Sequence, residues 1–410
     1  VSTTPSPAVP HGGDADLAVR GTAVLPGGLV PDALVLVAGG TIRWSGPAAS
    51  APEHRATRTI EHEGLILPGL VDLHCHGGGG ASFPDSTTSE EMLTAVHEHR
   101  RHGTTSLVAS LVTASADTLR ARVRDLALLA AAGEIVGIHS EGPFVSVERR
   151  GAQNAQHIVD GDPHLVAELA ELGGGALATM TLAPETPAAE AVIDALAAAG
   201  AVPSLGHSDG SSAEMTAAIA RSTQALRRHR GRSPLPTATH LFNGMRPVHH
   251  RDPGPALAAL DAGARGEMVL EVIADGVHLD ARTVAHVLAI AAPDHVALVT
   301  DAMAAAGMAD GTYTLGAQEV TVAGGTATLT DGGAIAGGTA HLIDVVRFAV
   351  QEAGVDLAVA VRAASIVPAR VLGLEDSIGS LAAGRSADLL LTDRGLQVTE
   401  VLRRGEIVTV

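Results

Sequence analysis

Lysine is missing from the chain, and all 27 cationic side chains are arginines. That absence excludes Schiff-base chemistry, a phosphate loop built on lysine, and a carbamylated lysine bridging two metals. Cysteine is nearly as scarce: Cys75 stands alone, so no intrachain disulfide can form, a usage that suits the cytosol. Cys75 itself reads as a small buried apolar residue rather than a nucleophile. Aromatic residues make up 1% of the 410 residues, which leaves Ala, Val, Leu and Ile to fill the core. With a hydrophobic share of 46%, a chain of this length can bury a large core divided over more than one domain. No apolar run approaches the ~20 residues of a membrane span. A formal charge of −18 argues against nucleic acid or an anionic membrane as partner. An anionic small molecule would need a local cluster of Arg and His. Residues 1–16 are rich in Pro, Ser, Thr and Gly, with neither a basic start nor an apolar segment. They read as a disordered tail and not as a signal peptide, and the expected location is cytoplasmic.

What the chain does have is alternation. Short β-like pieces separated by Gly and Pro turns run from Leu17 to Gly69, and the same texture returns over residues 377–410. Both ends are therefore expected to build one small β-sandwich domain. Between them, over residues 70–376, eight apolar runs alternate with amphipathic segments. The runs are Leu70–His76, Thr105–Thr113, Ile135–Glu141, Ala178–Pro184, Val202–His207, Ala238–Asn243, Val269–Asp275 and Val296–Asp301. The segments carry helix start and stop signals, such as the capping box Thr88-Ser89-Glu90-Glu91 and Gly133 after Ala132. This order predicts an α/β fold, a TIM-like (β/α)8 barrel. The structural rival, a doubly wound open sheet, lacks its glycine-rich dinucleotide turn.

Chemistry in such a barrel sits at the C-terminal ends of the strands. The first run ends in His74-Cys75-His76, and alternation along a strand points the two imidazoles the same way. The four glycines after it are expected to leave an open rim. Other runs end in Glu141, His207, His240-Leu241-Phe242-Asn243, Asp275-Gly276-Val277-His278 and Asp301. Imidazole and carboxylate donors without a thiolate cluster suit Zn2+ or a similar divalent metal. Glu141 is the natural bridge of an ion pair, with His207 and His240 on one ion and His74 and His76 on the other. Asp301 stands across the mouth, either as a ligand alone or also as the carrier of a proton to a leaving nitrogen. His139 is read as a residue of the barrel interior, and His97, His99 and His102 as solvated.

These motifs, in this order, resemble the amidohydrolase superfamily and, within it, the N-acetylglucosamine-6-phosphate deacetylase family. The segments that carry the likeness are Pro68 to Gly77, His139 to Phe144, Gly206-His207-Ser208, Thr239 to Met245, Ala274 to His278 and Val299 to Met303. The resemblance implies deacetylation of N-acetyl-D-glucosamine 6-phosphate on one or two divalent ions. It implies Glu141, His207 and His240 as metal ligands and Asp301 as catalytic acid and base. It also implies that Asn243, Gly244 and His278 contact substrate and that Arg251 reaches the phosphate from the neighbouring subunit of a homodimer. Gln153 stands where the family usually has histidine; it can bond a sugar hydroxyl but cannot carry a charge. Alternatives are another amidohydrolase, acting on cyclic amides, N-acyl amino sugars or dipeptides, and a non-catalytic scaffold of the same fold.

Overall fold

In the computed structural model, which describes residues 13–409, a parallel eight-stranded sheet curls around the stretch that begins at Leu70. Its strands follow chain order: Leu70–Cys75, Thr104–Leu111, Gly137–Glu141, Leu177–Leu182, Val202–Leu205, Thr237–Ala238, Val269–Val272 and Val296–Leu298, here barrel strands one to eight. Closure comes just past strand eight. There Cys75 bridges Ala302, and the amides of His76 and Asp301 donate to the carbonyls of Ala302 and His74 at 2.7 and 2.9 Å. Every residue of strands one and two is buried, as expected of strands covered on both faces. The predicted barrel is present.

The helices around it start where the side chains can cap them. Helix α1 (Ser89–Arg101) opens on the Thr88/Glu91 capping box. Ser115 caps α2 (Ala116–Ala131) and Asp162 caps α3 (Pro163–Leu172). Helix α4 (Ala189–Ala198) has no side-chain cap and relies on Val192, Ile193 and Leu196, all buried against the sheet. Truncating a wholly buried leucine such as Leu196 to alanine costs about 2–5 kcal/mol. Helices α5 (Ser212–His229), α6 (Gly254–Ala264), α7 (Ala281–Ile290) and α8 (Leu342–Gln351) complete the ring. Among the described residues no helix is long and apolar enough to cross a membrane.

A second, seven-stranded sheet joins residues 14–68 to residues 389–407. Its middle pair sets Leu67 opposite Leu390 in antiparallel register, and the amide of Gly69 donates to Asp388 at 2.8 Å. The strand Arg55–Pro68 thus runs straight from the satellite sheet into barrel strand one, so the first metal-type histidines hang on a two-sided anchor.

Five expectations need correction. Asp14 to Asp16 are not tail: they begin the strand Asp14–Leu25, pairing with Arg55 and Ala56, and Ala15 is buried. The rest of that segment, residues 1–12, lies outside the described residues. The glycine run is no open rim, since Gly77 and Gly78 are buried and pair with Ser82 and Ala81. A Cβ at Gly78 would lie 2.7 Å from the His99 ring, so only glycine lets α1 approach this closely. His99 is therefore wholly buried, with Nε2 bonded to the Gly77 carbonyl at 2.8 Å, while His97 is exposed as expected. Barrel strand six stops at Ala238, because the chain then turns through positive φ at His240 and Phe242. Finally, a three-stranded antiparallel sheet (Gly311–Leu315, Gln318–Ala323, Thr326–Leu329) follows strand eight, where none was expected.

Candidate metal centre

Six side chains from five strand ends meet at one point on the barrel mouth. His207 Nε2 and His240 Nε2 each lie 2.8 Å from Glu141 Oε1. On the other side of that carboxylate, His76 Nε2 lies 3.1 Å and His74 Nε2 3.7 Å from Oε2. Asp301 Oδ1 stands 3.2 Å from His76 Nε2 and 3.3 Å from His74 Nε2. The donors form two overlapping groups, Glu141/His207/His240 and His74/His76/Glu141/Asp301, sharing Glu141. The backbone is bent to deliver them: His207, His240 and Asp301 hold φ values of 47°, 25° and 49°, in the left-handed region that L side chains avoid. Gly244, also at positive φ, sits so close to His207 that a Cβ would lie 2.6 Å from its Nδ1.

The outer faces of two of these rings are held by backbone carbonyls. His207 Nδ1 meets the carbonyl of Arg149 at 2.7 Å and His76 Nδ1 that of Ser110 at 3.2 Å. A donor bond there fixes the proton on Nδ1 and turns the Nε2 lone pair inward. Asp72, buried beneath the site, accepts from the Thr300 hydroxyl at 2.6 Å and from the His74 amide at 3.2 Å, tying strand eight to strand one. Burial pushes the Asp72 carboxyl up to about 6 against those bonds. Asp72 is not among the residues expected from the sequence, although its place two residues before His74 on the same strand face is a usable signal.

Burial alone would keep the imidazoles neutral, yet Asp301 and Glu141 outweigh it at His74 and leave that pKa well above its ordinary value. The same balance, led by Glu141, raises His207. For Asp301, burial opposes the charge, but His74 and His76 hold the carboxyl below the usual carboxylate range. A field that favours a proton at His74, His76 and His207 also favours a cation in its place. Four imidazole nitrogens and two carboxylates, buried and converging, fit a divalent ion of the Zn2+ type.

A cavity of about 240 Å3 opens over this cage, and His278, Asn243, Gly244 and Gln153 line it together with the cage residues. His278 is gripped by Asp275 at 2.7 Å and presents Nε2 3.8 Å from Asp301 Oδ2. Gln153 behaves differently from a free substrate contact: its Nε2 donates to Glu141 Oε2 at 2.7 Å and its Oε1 accepts from the Thr113 amide at 2.8 Å. Its carboxamide orients the shared carboxylate. Arg251 does not line the cavity; it lies on the exposed His249–Asp252 turn, with its guanidinium against His250 at 2.7 Å. Leu315, Ala334 and Ile335, from the unexpected sheet and the segment after it, form one wall. His139 lies below the cage, between Ser110 and Thr181, and faces none of the carboxylates directly.

The model of the amidohydrolase family matches residues 65–408. N-acetylglucosamine-6-phosphate deacetylase of Homo sapiens is 35% identical over 357 residues, covering 84% of this chain and 83% of the relative. Its namesake from Bacillus subtilis is 33% identical over 356 residues, with 84% and 85% covered. Among solved structures, a mutant N-acetyl-D-glucosamine-6-phosphate deacetylase from Mycobacterium smegmatis, in complex with N-acetyl-D-glucosamine-6-phosphate, superposes with a TM-score of 0.88 at 37% identity. That match covers 97% of this chain and 100% of the other.

Proposed function

Because the chain belongs to the amidohydrolase family, we propose that it hydrolyses the N-acetyl amide of N-acetyl-D-glucosamine 6-phosphate, releasing acetate and glucosamine 6-phosphate. The observation that carries this reading is the single point at which Glu141, His207, His240, His74, His76 and Asp301 converge beneath an open cavity. Glu141, His207 and His240 would hold one divalent ion, and His74, His76 and Asp301 a second, with Glu141 shared. Zinc suits this donor set best. An ion held there supplies Lewis acidity to the amide carbonyl and makes water a nucleophile near neutral pH.

The remaining work falls to the chain's own side chains. Asp301, kept ionised by His74 and His76, accepts the proton of the attacking water and returns it to the leaving nitrogen as the C–N bond breaks. His278, fixed by Asp275, contacts the substrate across the cavity from the cage. The backbone of Asn243 and Gly244 meets the phosphate. No arginine is among the cavity's lining residues, and the family resemblance supplies Arg251 of a second copy in a homodimer as the cation for the phosphate. Gln153 keeps its grip on Glu141 and offers its remaining donor to a sugar hydroxyl.

Acetate release from N-acetyl-D-glucosamine 6-phosphate, with and without chelator, tests the reading. Turnover that chelation abolishes supports it. Equal turnover of the unphosphorylated sugar removes the phosphate role and favours another amidohydrolase reaction. Metal-loaded protein that releases no acetate at all is a scaffold.

A further inference from the structure

We infer that Glu271 is a positioning residue for the ion site on barrel strand one, holding His74 as the Nδ1–H tautomer so that Nε2 is presented to the cation. The inference rests on the two-ion reading above. A histidine that ligates a metal through one nitrogen commonly donates the other N–H to a carboxylate or carbonyl, which fixes tautomer and ring orientation. His76 and His207 have backbone carbonyls for that purpose. His74 has none. Its Nδ1 faces Glu271 Oε2 at 3.5 Å, and both atoms are buried without any other partner. Two buried orphans of complementary charge that face each other need only a few tenths of an ångström to bond.

Glu271 rises from barrel strand seven into the barrel interior and is 3% exposed. A carboxylate so placed costs several kcal/mol unless it is bonded. Its other oxygen, Oε1, accepts from the Thr237 hydroxyl at 2.9 Å, with the Ser204 hydroxyl 3.3 Å away. From there the hydroxyls run on, Thr237 to Ser204 at 2.6 Å, Ser204 to Thr239 at 2.6 Å and Thr239 to Thr181 at 2.8 Å, ending at His139 Nε2 2.9 Å further. Each hydroxyl has one proton to give. Thr237 directs its proton at Ser204 and Glu271 Oε1, and Ser204 directs its own at Oε1, so Thr239 donates to Ser204, Thr181 to Thr239, and His139 Nε2–H to Thr181. Every donor in the row points toward Glu271, which accepts at Oε1 and has Oε2 left for one more N–H. His74 Nδ1 is that donor. The other ion site has no such support: the Nδ1 of His240 has no partner and that of His207 meets a neutral carbonyl. Glu271 therefore acts on one ion of the two.

Zn2+ titrations of metal-free wild type, His74→Ala and Glu271→Gln, each against a chromophoric chelator, test this. His74→Ala identifies the binding step that depends on strand one. Glu271→Gln keeps the shape and removes the charge, and is expected to weaken that same step about 10–100-fold while leaving the other unchanged. Thr237→Val, which removes the donor to Oε1, is expected to shift the same step in the same direction by less. In 15N spectra of the imidazoles, the His74 Nδ1–H signal of wild type should be lost or moved in Glu271→Gln. If His74→Ala removes a step that Glu271→Gln leaves at wild-type affinity, or if both steps weaken equally in Glu271→Gln, the positioning role is overturned while the two-ion reading stands. If no step depends on His74, the two-ion reading fails and takes this inference with it.

Discussion

Glu141 and Glu98 are both buried glutamates ringed by histidines, and their surroundings put them to opposite uses. Around Glu141 the imidazole Nε2 atoms of His207, His240, His76 and His74 converge, and no arginine touches the carboxylate. Around Glu98, Arg101 already occupies Oε2, while His341 Nε2 bonds Oε1 at 2.8 Å. His102 spends its Nδ1 on the Glu98 carbonyl at 2.8 Å and stacks on His341 with ring centroids 3.6 Å apart. His341 in turn leans on Asp344 at the start of α8. The first cluster points lone pairs at a centre and keeps its own protons outside. The second has paired its charges and bonded both carboxylate oxygens, and so clasps α1 to α8. Both clusters are built on a buried glutamate and imidazoles, and the second adds an arginine; what separates a candidate metal cage from a clasp is whether donors converge unspent.

Chelation is the bluntest test of that contrast. Stripping metal should take deacetylase activity to background, and added Zn2+ should restore it. Activity that survives exhaustive chelation removes the cage's function. Next in size, Asp301→Asn is expected to lower kcat by about 10²–10⁴-fold while metal stays largely bound. A variant with near-normal kcat would show Asp301 to be a ligand only. The cage carboxylates have no arginine of their own, so Arg251→Ala sharpens the contrast from outside. It should cost about 1.5–3 kcal/mol in kcat/KM on the phosphorylated sugar, with no change on the unphosphorylated one. Equal losses on both sugars would place Arg251 away from the phosphate. At the clasp, Glu98→Gln should cost about 1–3 kcal/mol of stability and leave zinc content untouched. A zinc ion lost with Glu98 would break the comparison, since the second cluster would then be a cage as well.

Much of the cage was legible because strand geometry is strict. Alternation put His74 and His76 on one face, and the barrel rule put Glu141, His207, His240 and Asp301 at one rim. What escaped notice has physical causes. Glu271 sits inside an apolar run, and only the curl of the sheet reveals that it faces His74. His99 looked solvated because a helical pattern with three histidines and flanking arginines has no clear polar face; tertiary packing against Gly77 and Gly78 decides its burial. The short sheet over residues 311–329 is polar and glycine-broken, with little hydrophobic period to read. The length of strand six was overestimated because His240-Leu241-Phe242 reads as apolar, whereas the positive φ values there serve the site rather than the strand.

The smallest effect expected is a pH dependence that belongs to the clasp side and leaves the cage alone. His99 is neutral: its Nε2 meets Gly77, its Nδ1 is buried without a partner, and burial, with the nearby His341 ring working the same way, lowers its pKa to about 3. In the unfolded chain the same ring takes up a proton near pH 6.5. Between those values the unfolded state binds one more proton than the folded state does. Stability therefore rises with pH through this window, is fully present above about pH 6.5, and is lost as pH falls, at up to about 1.4 kcal/mol per unit. His99→Gln retains a donor for Gly77 but cannot titrate. Urea unfolding at pH 7 and pH 5.5 should then give a shallower loss for the variant than for wild type by about 1 kcal/mol. The cage histidines and His102, present in both proteins, cancel from the difference. Parallel slopes would mean that His99 is charged in the folded protein, and that α1 packs against the glycine run less tightly than the 2.8 Å bond to Gly77 implies.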